Sequence, residues 1–205
     1  MTQRQLLVIA TRNPGKTREL QELLSGFPVE IRNLDDFGQI PPIDEDGSTF
    51  DQNAYKKSSF TAKILGLPTL ADDSGLEVDA LGGAPGVHSA RYAGLNATDA
   101  ENNAKLLLHM QHKTNRAATF VCVISIAVPS GLALTYEGRC EGLIVEAPAG
   151  ENGFGYDPVF FYPPLGRTFA QLSSEEKNCI SHRGRALAEL KEEFDKVLTW
   201  LHQKL

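Results

Sequence analysis

Ala71-Asp-Asp-Ser-Gly75 sets two carboxylates at the end of a short strand pattern, and carboxylates at a sheet edge commonly hold a divalent cation beside phosphate oxygens. If both aspartates are extended they point to opposite faces, so only one, Asp73 beside the expected turn, faces such a site. Asx-turn bonding of Asp73 and Ser74 to nearby N–H groups accounts for the same residues equally well. Upstream, Asp44, Glu45 and Asp46 offer further carboxylates in a stretch that also reads as solvated surface charge. Lys56 and Lys57 follow and balance that acidity.

Thr11-Arg-Asn-Pro-Gly-Lys16 lies where the first strand pattern gives way to a helix, and free N–H groups together with the helix dipole favour an anion there. It matches neither G-x-x-x-x-G-K-[ST] nor G-x-G-x-x-G, so only its position and Lys16 suggest phosphate binding. Phe154-Gly-Tyr-Asp157 combines two aromatic faces, glycine backbone open to close approach and a carboxylate that can accept from a base edge. That composition serves a purine pocket or a hairpin corner with buried aromatics. Lys177 and Ser181-His-Arg183 put two fixed cations and an imidazole near a helix start, where the cations oppose the dipole at a mild cost that a phosphate or keto oxygen offsets.

The elements that must position these residues are legible in outline. Leu6–Ala10 reads as a buried strand, followed by a helix through Leu20, Leu23 and Leu24, a second strand over Val29–Leu34, and an acidic loop over 35–47 without Lys or Arg. A helix runs from Ser48 until Gly66 stops it. Thr69–Asp72 is a short strand, and the glycines between Gly82 and Gly94 predict a long ordered loop. Thr98-Asp-Ala-Glu101 is a capping box opening a helix through Leu106, Leu107 and Met110. Ala118–Val128 and Leu132–Tyr136 flank Pro129-Ser-Gly131 as a hairpin. A second capping box, Ser173-Ser-Glu-Glu176, precedes a long final helix with Leu187, Leu190, Phe194, Val197, Leu198 and Leu201 on one face. Strand–helix alternation combined with a hairpin predicts a mixed α/β fold on a twisted central sheet.

Bulk composition bounds the partners. The chain has 205 residues, 41% hydrophobic and 22% charged, which suits one domain spanning 1–205 with a real core. Its net charge of −6 repels nucleic acid and anionic lipid, so an anionic ligand needs a local basic site. The longest apolar stretch, Phe120–Val128, is interrupted by Ser125 and falls short of the roughly 20 residues that span a bilayer. Leu6–Ala10, followed by Arg12 and Lys16, is too short for a secretory signal, and a cytoplasmic protein is expected. Cys122, Cys140 and Cys179 show no metal or redox spacing, and Cys122 reads as core.

Thr11/Asn13/Lys16, Thr49-Phe50/Asn53-Ala54/Lys57, Ala71–Gly75, Gly82-Gly-Ala-Pro-Gly86, Ser89-Ala-Arg-Tyr-Ala-Gly94, Gly153-Phe-Gly-Tyr-Asp-Pro158 and Glu176-Lys177 with Ile180-Ser-His-Arg183 occur in one order. In that order the chain resembles the inosine/xanthosine triphosphate pyrophosphatase family from about Leu6 to Leu201. The resemblance implies an elongated mixed-sheet α/β fold of two lobes with a cleft between them, a homodimer, Mg²⁺ dependence, and cleavage of XTP, ITP or dITP to monophosphate and pyrophosphate. It assigns the phosphates to Thr11, Arg12, Asn13, Pro14, Gly15, Lys16, Lys57 and Ser74. Asp73 is assigned to hold metal and activate the attacking water, and Phe154, Gly155, Tyr156, Asp157, Lys177, His182 and Arg183 to define the base pocket. One position departs from the family: Asp44 stands where the second metal carboxylate is usually Glu, and Glu45 follows it. Asp44 is the expected second ligand, with Glu45 as its substitute. A monophosphate phosphatase would use similar carboxylates but lacks its D-x-D nucleophile here, and a non-catalytic nucleotide sensor would retain intact triphosphate.

Overall fold

A computed structural model of the protein describes residues 4–12 and 14–205. Among the described residues seven strands, β1 (Gln5–Ile9), β2 (Val29–Asn33), β3 (Thr69–Val78), β4 (Ala117–Ala127), β5 (Ala133–Ile144), β6 (Phe160–Tyr162) and β7 (Arg167–Thr168), form one sheet in the order β2-β1-β3-β4-β5-β6-β7. β1 pairs in parallel with β2, from Gln5 opposite Val29 to Ile9 opposite Asn33, and with β3 at Val8 opposite Thr69. β6 is antiparallel to both β5 and β7. The sheet is therefore mixed, as the α/β reading requires. Its helices are α1 (Pro14–Leu23), α2 (Phe50–Leu65), α3 (Asp99–His109), α4 (Ser174–Ile180), α5 (His182–Glu192) and α6 (Phe194–Lys204). Among the described residues no helix is long and apolar enough to cross a membrane.

Contacts divide the chain into two compact units. One comprises the chain up to Asp73 with Val123–Glu137 and Ala186–Leu205, and the other Ser74–Cys122 with Gly138–Arg185. In the first unit Leu7, Val8 and Ile9 are fully buried, and Val8 packs with Ala10, Leu34, Ile40 and Ala71. In the second, Leu76, Leu106, Phe120, Phe160 and Phe169 form the apolar centre. Cys122 and Cys140 are buried, and burial pushes the Cys140 thiol up to about 11, so it stays protonated and inert near neutrality.

Local signals explain where α2 and α3 begin. Thr49 caps α2 by accepting from the Gln52 N–H, and Gly66, at φ +66°, ends it with its N–H on the Ala62 carbonyl. At α3 both capping-box bonds form, Thr98 N–H to Glu101 at 2.7 Å and Glu101 N–H to Thr98 Oγ1 at 3.3 Å.

Three expectations need correction. β3 does not end at Asp72 but runs through Asp73, Ser74 and Gly75 to Val78, because Asp73 bonds to side chains on α2 and no Asx-turn forms. β5 continues past Tyr136 to Ile144, with inward Gly138, Cys140 and Gly142 alternating against exposed polar residues. Two glycines at inward positions hide that period of two from the sequence. Gly142 is required by closeness, since a Cβ there would lie 2.5 Å from both the Phe160 ring and the Phe161 carbonyl. The final helix is three helices. Ser181 leaves helical geometry at ψ 159°, ends α4 with its N–H on the Lys177 carbonyl, and starts α5 by accepting the Gly184 N–H at 3.1 Å. Glu193 then separates α5 from α6, whose Phe194, Val197 and Leu201 are buried. The predicted loop over 82–94 contains two tight turns, one ending at Gly82 and one spanning Gly86–Arg91.

The α4–α5 junction tolerates no side chain at Gly184, where a Cβ would stand 1.8 Å from the Asn178 carbonyl oxygen. Gly184→Ala should therefore destabilise the protein by about 1–3 kcal/mol, as overpacking does. Chemical denaturation measures it, and an unchanged midpoint would contradict this packing.

Candidate functional site

β3 and α2 build a charged cluster inside the first unit. Pleating sends successive β3 side chains in opposite directions, and Asp72 and Asp73 accordingly find different lysines. Asp73 Oδ1 accepts from Lys57 Nζ at 2.8 Å and its Oδ2 from Asn53 Nδ2 at 3.3 Å, while Asp72 Oδ2 lies 3.0 Å from Lys16 Nζ. Asn53 and Lys57 are four residues apart and so share one face of α2. Lys57 Nζ also lies 3.2 Å from Glu45 Oε2. Asn53 Oδ1 accepts the Gly47 N–H at 2.8 Å, and a Cβ on Gly47 would come within 2.5 Å of that oxygen. Only glycine lets the acidic loop approach α2 this closely.

Charge counting explains the protonation of this cluster. Among the described ion pairs, Glu45, Asp72 and Asp73 face the ammoniums of Lys16 and Lys57. Burial disfavours the charged form of Lys57, but Asp73, Glu45 and Asp72 outweigh it and hold the ammonium above its ordinary value. Burial also pushes the Asp73 carboxyl upward, against the pull of Lys57 and Lys16 and with help from Glu45. The five groups keep an excess negative charge. Two carboxylates already converge on one cationic atom, Lys57 Nζ, and such a hard oxygen donor set fits Mg²⁺, which takes one or two carboxylates and fills its shell with water and phosphate oxygens. Among the described residues no group of three or more His, Cys, Asp or Glu side chains is gathered for a metal.

The loop residues are placed unequally. Glu45 reaches Lys57, whereas Asp44 is exposed and, among the described residues, no hydrogen bond or ion pair engages it. Of the two carboxylates that the sequence left in competition, the structure therefore brings Glu45 to the cluster. Asp46 pairs with Lys56 at the surface. Arg12 donates to the Ile40 carbonyl at 3.1 Å, Thr11 is half-buried, and Pro14 and Gly15 open α1 immediately before Lys16. Asn13 lies outside the described residues.

The second unit gathers the other predicted residues. Lys177 Nζ lies 2.7 Å from Asp157 Oδ2, both residues buried, and 4.7 Å from the centroid of the Phe154 ring. Asp157 Oδ2 also accepts the Phe154 N–H at 3.0 Å. Gly153 makes room for that carboxylate, since a Cβ would stand 2.0 Å from it. Arg183 is only 2% exposed, lies 5.8 Å from the Phe154 ring and donates to Ser74 Oγ at 3.3 Å. His182, at the first position of α5, stacks on Phe120 with centroids 4.6 Å apart. Tyr156 is placed differently: it is buried in the apolar centre and its hydroxyl donates to the Ser89 carbonyl at 2.8 Å. Burial holds that phenol well above its ordinary value. Gly155 lies beside α3, its N–H on Asp99 and its carbonyl on Asn103.

The sequence reading named Asn53 and Asp72 within motifs but gave neither a role, and it gave none to Phe120. Asn53 was open to discovery, because the four-residue step to Lys57 on a predicted helix places both on one face. The partners of Asp72 and Phe120, Lys16 and His182, come from distant segments of the chain and gave no such signal.

Comparison with known proteins places the chain in a family. The model of the Ham1 family matches residues 7–193. The dITP/XTP pyrophosphatase of Syntrophobacter fumaroxidans is 64% identical over 199 residues, covering 97% of this chain and 86% of that protein. The dITP/XTP pyrophosphatase of Geobacter sulfurreducens is 53% identical over 188 residues, covering 91% and 94%. A HAM1 protein from Coxiella burnetii superposes with a TM-score of 0.88 at 45% identity, covering 94% of this chain and 99% of that one. The Staphylococcus aureus Ham1 protein gives 0.86 at 43% with the same coverage. With a family model matching most of the chain and near full-length similarity in sequence and fold, the chain belongs to the Ham1 family.

Proposed function

We infer that the protein hydrolyses deaminated purine nucleoside triphosphates, XTP, ITP and dITP, to the monophosphate and pyrophosphate. The observation that carries this reading is the placement of chemically different sets on consecutive residues of β3: Asp73 joins Lys57, Asn53 and Glu45, and Ser74 joins Arg183. Curated relatives named dITP/XTP pyrophosphatases support the substrate class. A cytoplasmic homodimer belongs to the same reading.

In this reading Asp73 accepts the proton of the water that attacks the α-phosphorus. Its carboxyl is raised by burial toward neutrality, the direction that makes a carboxylate a better base. Lys57, kept charged by its carboxylate neighbours, and Lys16 stabilise the charge that accumulates on departing pyrophosphate. Asp72 holds Lys16 in place for that contact. Glu45 and Asp73 would hold Mg²⁺, which supplies polarisation of the phosphate oxygens and neutralises their charge. At the base, the Phe154 ring offers a stacking face, while Arg183 and Lys177 offer donors that a 6-keto oxygen accepts and a 6-amino group cannot.

Incubation with standard and deaminated triphosphates and Mg²⁺, with chromatographic product analysis, tests the activity. Monophosphate and pyrophosphate from ITP and XTP are expected. Orthophosphate as first product would replace the reading with a phosphatase, and intact triphosphate with a nucleotide sensor. Asp73→Asn should lower kcat by about a hundredfold or more, the scale of a lost general base, and retention of most of the wild-type kcat would remove Asp73 from the chemistry. Glu45→Ala should raise the Mg²⁺ concentration for half-maximal rate more than Asp44→Ala. The reverse ranking would return the ligand role to Asp44.

A further inference from the structure

The chemistry proposed above leaves α3 and the Ser89–Gly94 motif unused, yet both are tied to the Phe154–Asp157 segment. Asp99 Oδ2 accepts the Gly155 N–H at 2.6 Å, and Asn103 Nδ2 donates to the Gly155 carbonyl at 2.9 Å. The two side chains are four residues apart and so share one face of α3. Between them they take both backbone polar groups of a glycine held at φ +62°, a conformation that favours glycine. The Thr98–Glu101 capping box fixes the start of the helix and with it the place of Asp99. As the first residue of α3, Asp99 stands where the helix turns toward Gly155.

The neighbouring Asn102 completes the arrangement. Its Oδ1 accepts the Ala93 N–H at 2.8 Å and its Nδ2 donates to the Ala90 carbonyl at 3.2 Å. Ser89, in the same motif, receives the Tyr156 hydroxyl on its carbonyl. The segment that carries Phe154 and Asp157 is thus gripped at Gly155 and at Tyr156. Asp157, bonded to the Phe154 N–H and to Lys177, closes it.

We propose that Asp99 and Asn103 are positioning residues for base discrimination, a clasp on Gly155 that fixes Phe154 and Asp157 against Lys177. The proposal rests on the reading of this segment as the purine pocket. Neither side chain touches the base. Their effect passes through the placement of the Phe154 ring and the Asp157–Lys177 pair, where displacement by about an ångström costs tens to a hundredfold in rate. The clasp also gives a role to an asparagine that is 7% exposed and whose buried Oδ1 makes no hydrogen bond, because its Nδ2 contact with Gly155 is what the fold retains it for.

The test measures kcat and KM for ITP and ATP, together with thermal unfolding, on the wild type, Asp99→Ala, Asn103→Leu, Asp99→Asn and Leu106→Ala. Asp99→Ala and Asn103→Leu should lower the ITP/ATP ratio of kcat/KM by about tenfold or more, mostly through a higher KM for ITP. Asp99→Asn keeps an oxygen acceptor and should keep the ratio. Leu106→Ala removes a buried α3 side chain that takes no part in the hydrogen bonds to Gly155, so it should lower Tm and leave the ratio unchanged. Asp99 is exposed at the helix start, so Asp99→Ala decides the matter even if Asn103→Leu fails to fold. A wild-type ratio in Asp99→Ala, or an equal loss in Leu106→Ala, overturns the clasp while leaving the function intact. A wild-type enzyme without preference for ITP overturns the function, and the clasp with it.

Discussion

A buried ammonium and a buried carboxylate are tolerable only together, and the pairing of Lys57 with Asp73 sets the terms for everything around it. Removing one partner of such a pair typically costs about 3–5 kcal/mol, because the other is left as an uncompensated buried charge. Satisfying it takes more than one contact. Asp73 needs Asn53 for its second oxygen, Asn53 needs the Gly47 N–H, and Gly47 must be glycine for the loop to come so close. The acidic loop is thereby anchored with Glu45 on the far side of Lys57. What the sequence presents as loose surface charge is a chain of dependent contacts that ends in a carboxylate pair suited to a cation.

The second unit repeats the solution with different residues. Lys177 is paired with Asp157 in a buried setting, and Gly153 supplies the space that the carboxylate occupies, as Gly47 does for Asn53. The consequence differs because the neighbours differ. Around Asp73 carboxylates outnumber ammoniums, which suits a cation and its phosphate, whereas Asp157 and Lys177 lie with Arg183 beside an aromatic ring, which suits a planar base with an oxygen at its edge. Consecutive residues of β3, Asp73 and Ser74, belong to the two sets, one to each.

How much of this was legible in the sequence follows from the range of each signal. The capping boxes at Thr98 and Ser173 are local codes and both form. So does the left-handed stop at Gly66. The lower half of β3 was missed because Asp-Ser-Gly is turn chemistry in isolation, and only tertiary partners on α2 make it extended. Much of β5 was missed because Gly138 and Gly142 carry no hydrophobic signal although both face inward. The break at Glu193 was hidden by an apolar stripe that continues across it, from Leu187 and Leu190 to Phe194 and Val197. Of the residues the resemblance named, the structure brings Lys57 to Asp73, and Lys177 and Arg183 to Phe154. The resemblance did not separate Asp44 from Glu45, which depends on how Gly47 seats the loop, or reveal that Tyr156 serves the core.

In the proposed function the phosphates and the base are read by separate residues, and selectivity measures this directly. ITP and ATP share a triphosphate, so Lys16 and Lys57 cannot distinguish them. The measurement is kcat/KM for ITP and ATP on the wild type, Lys16→Ala and Arg183→Lys, the last replacing a planar fork of donors by a point charge. The account predicts a wild-type preference for ITP on the order of a thousandfold or more, as sites built for a polar group give. It further predicts similar slowing of both nucleotides by Lys16→Ala, and a narrowed ratio in Arg183→Lys. Comparable wild-type values for ITP and ATP, or a ratio that moves with Lys16 and not with Arg183, would contradict it.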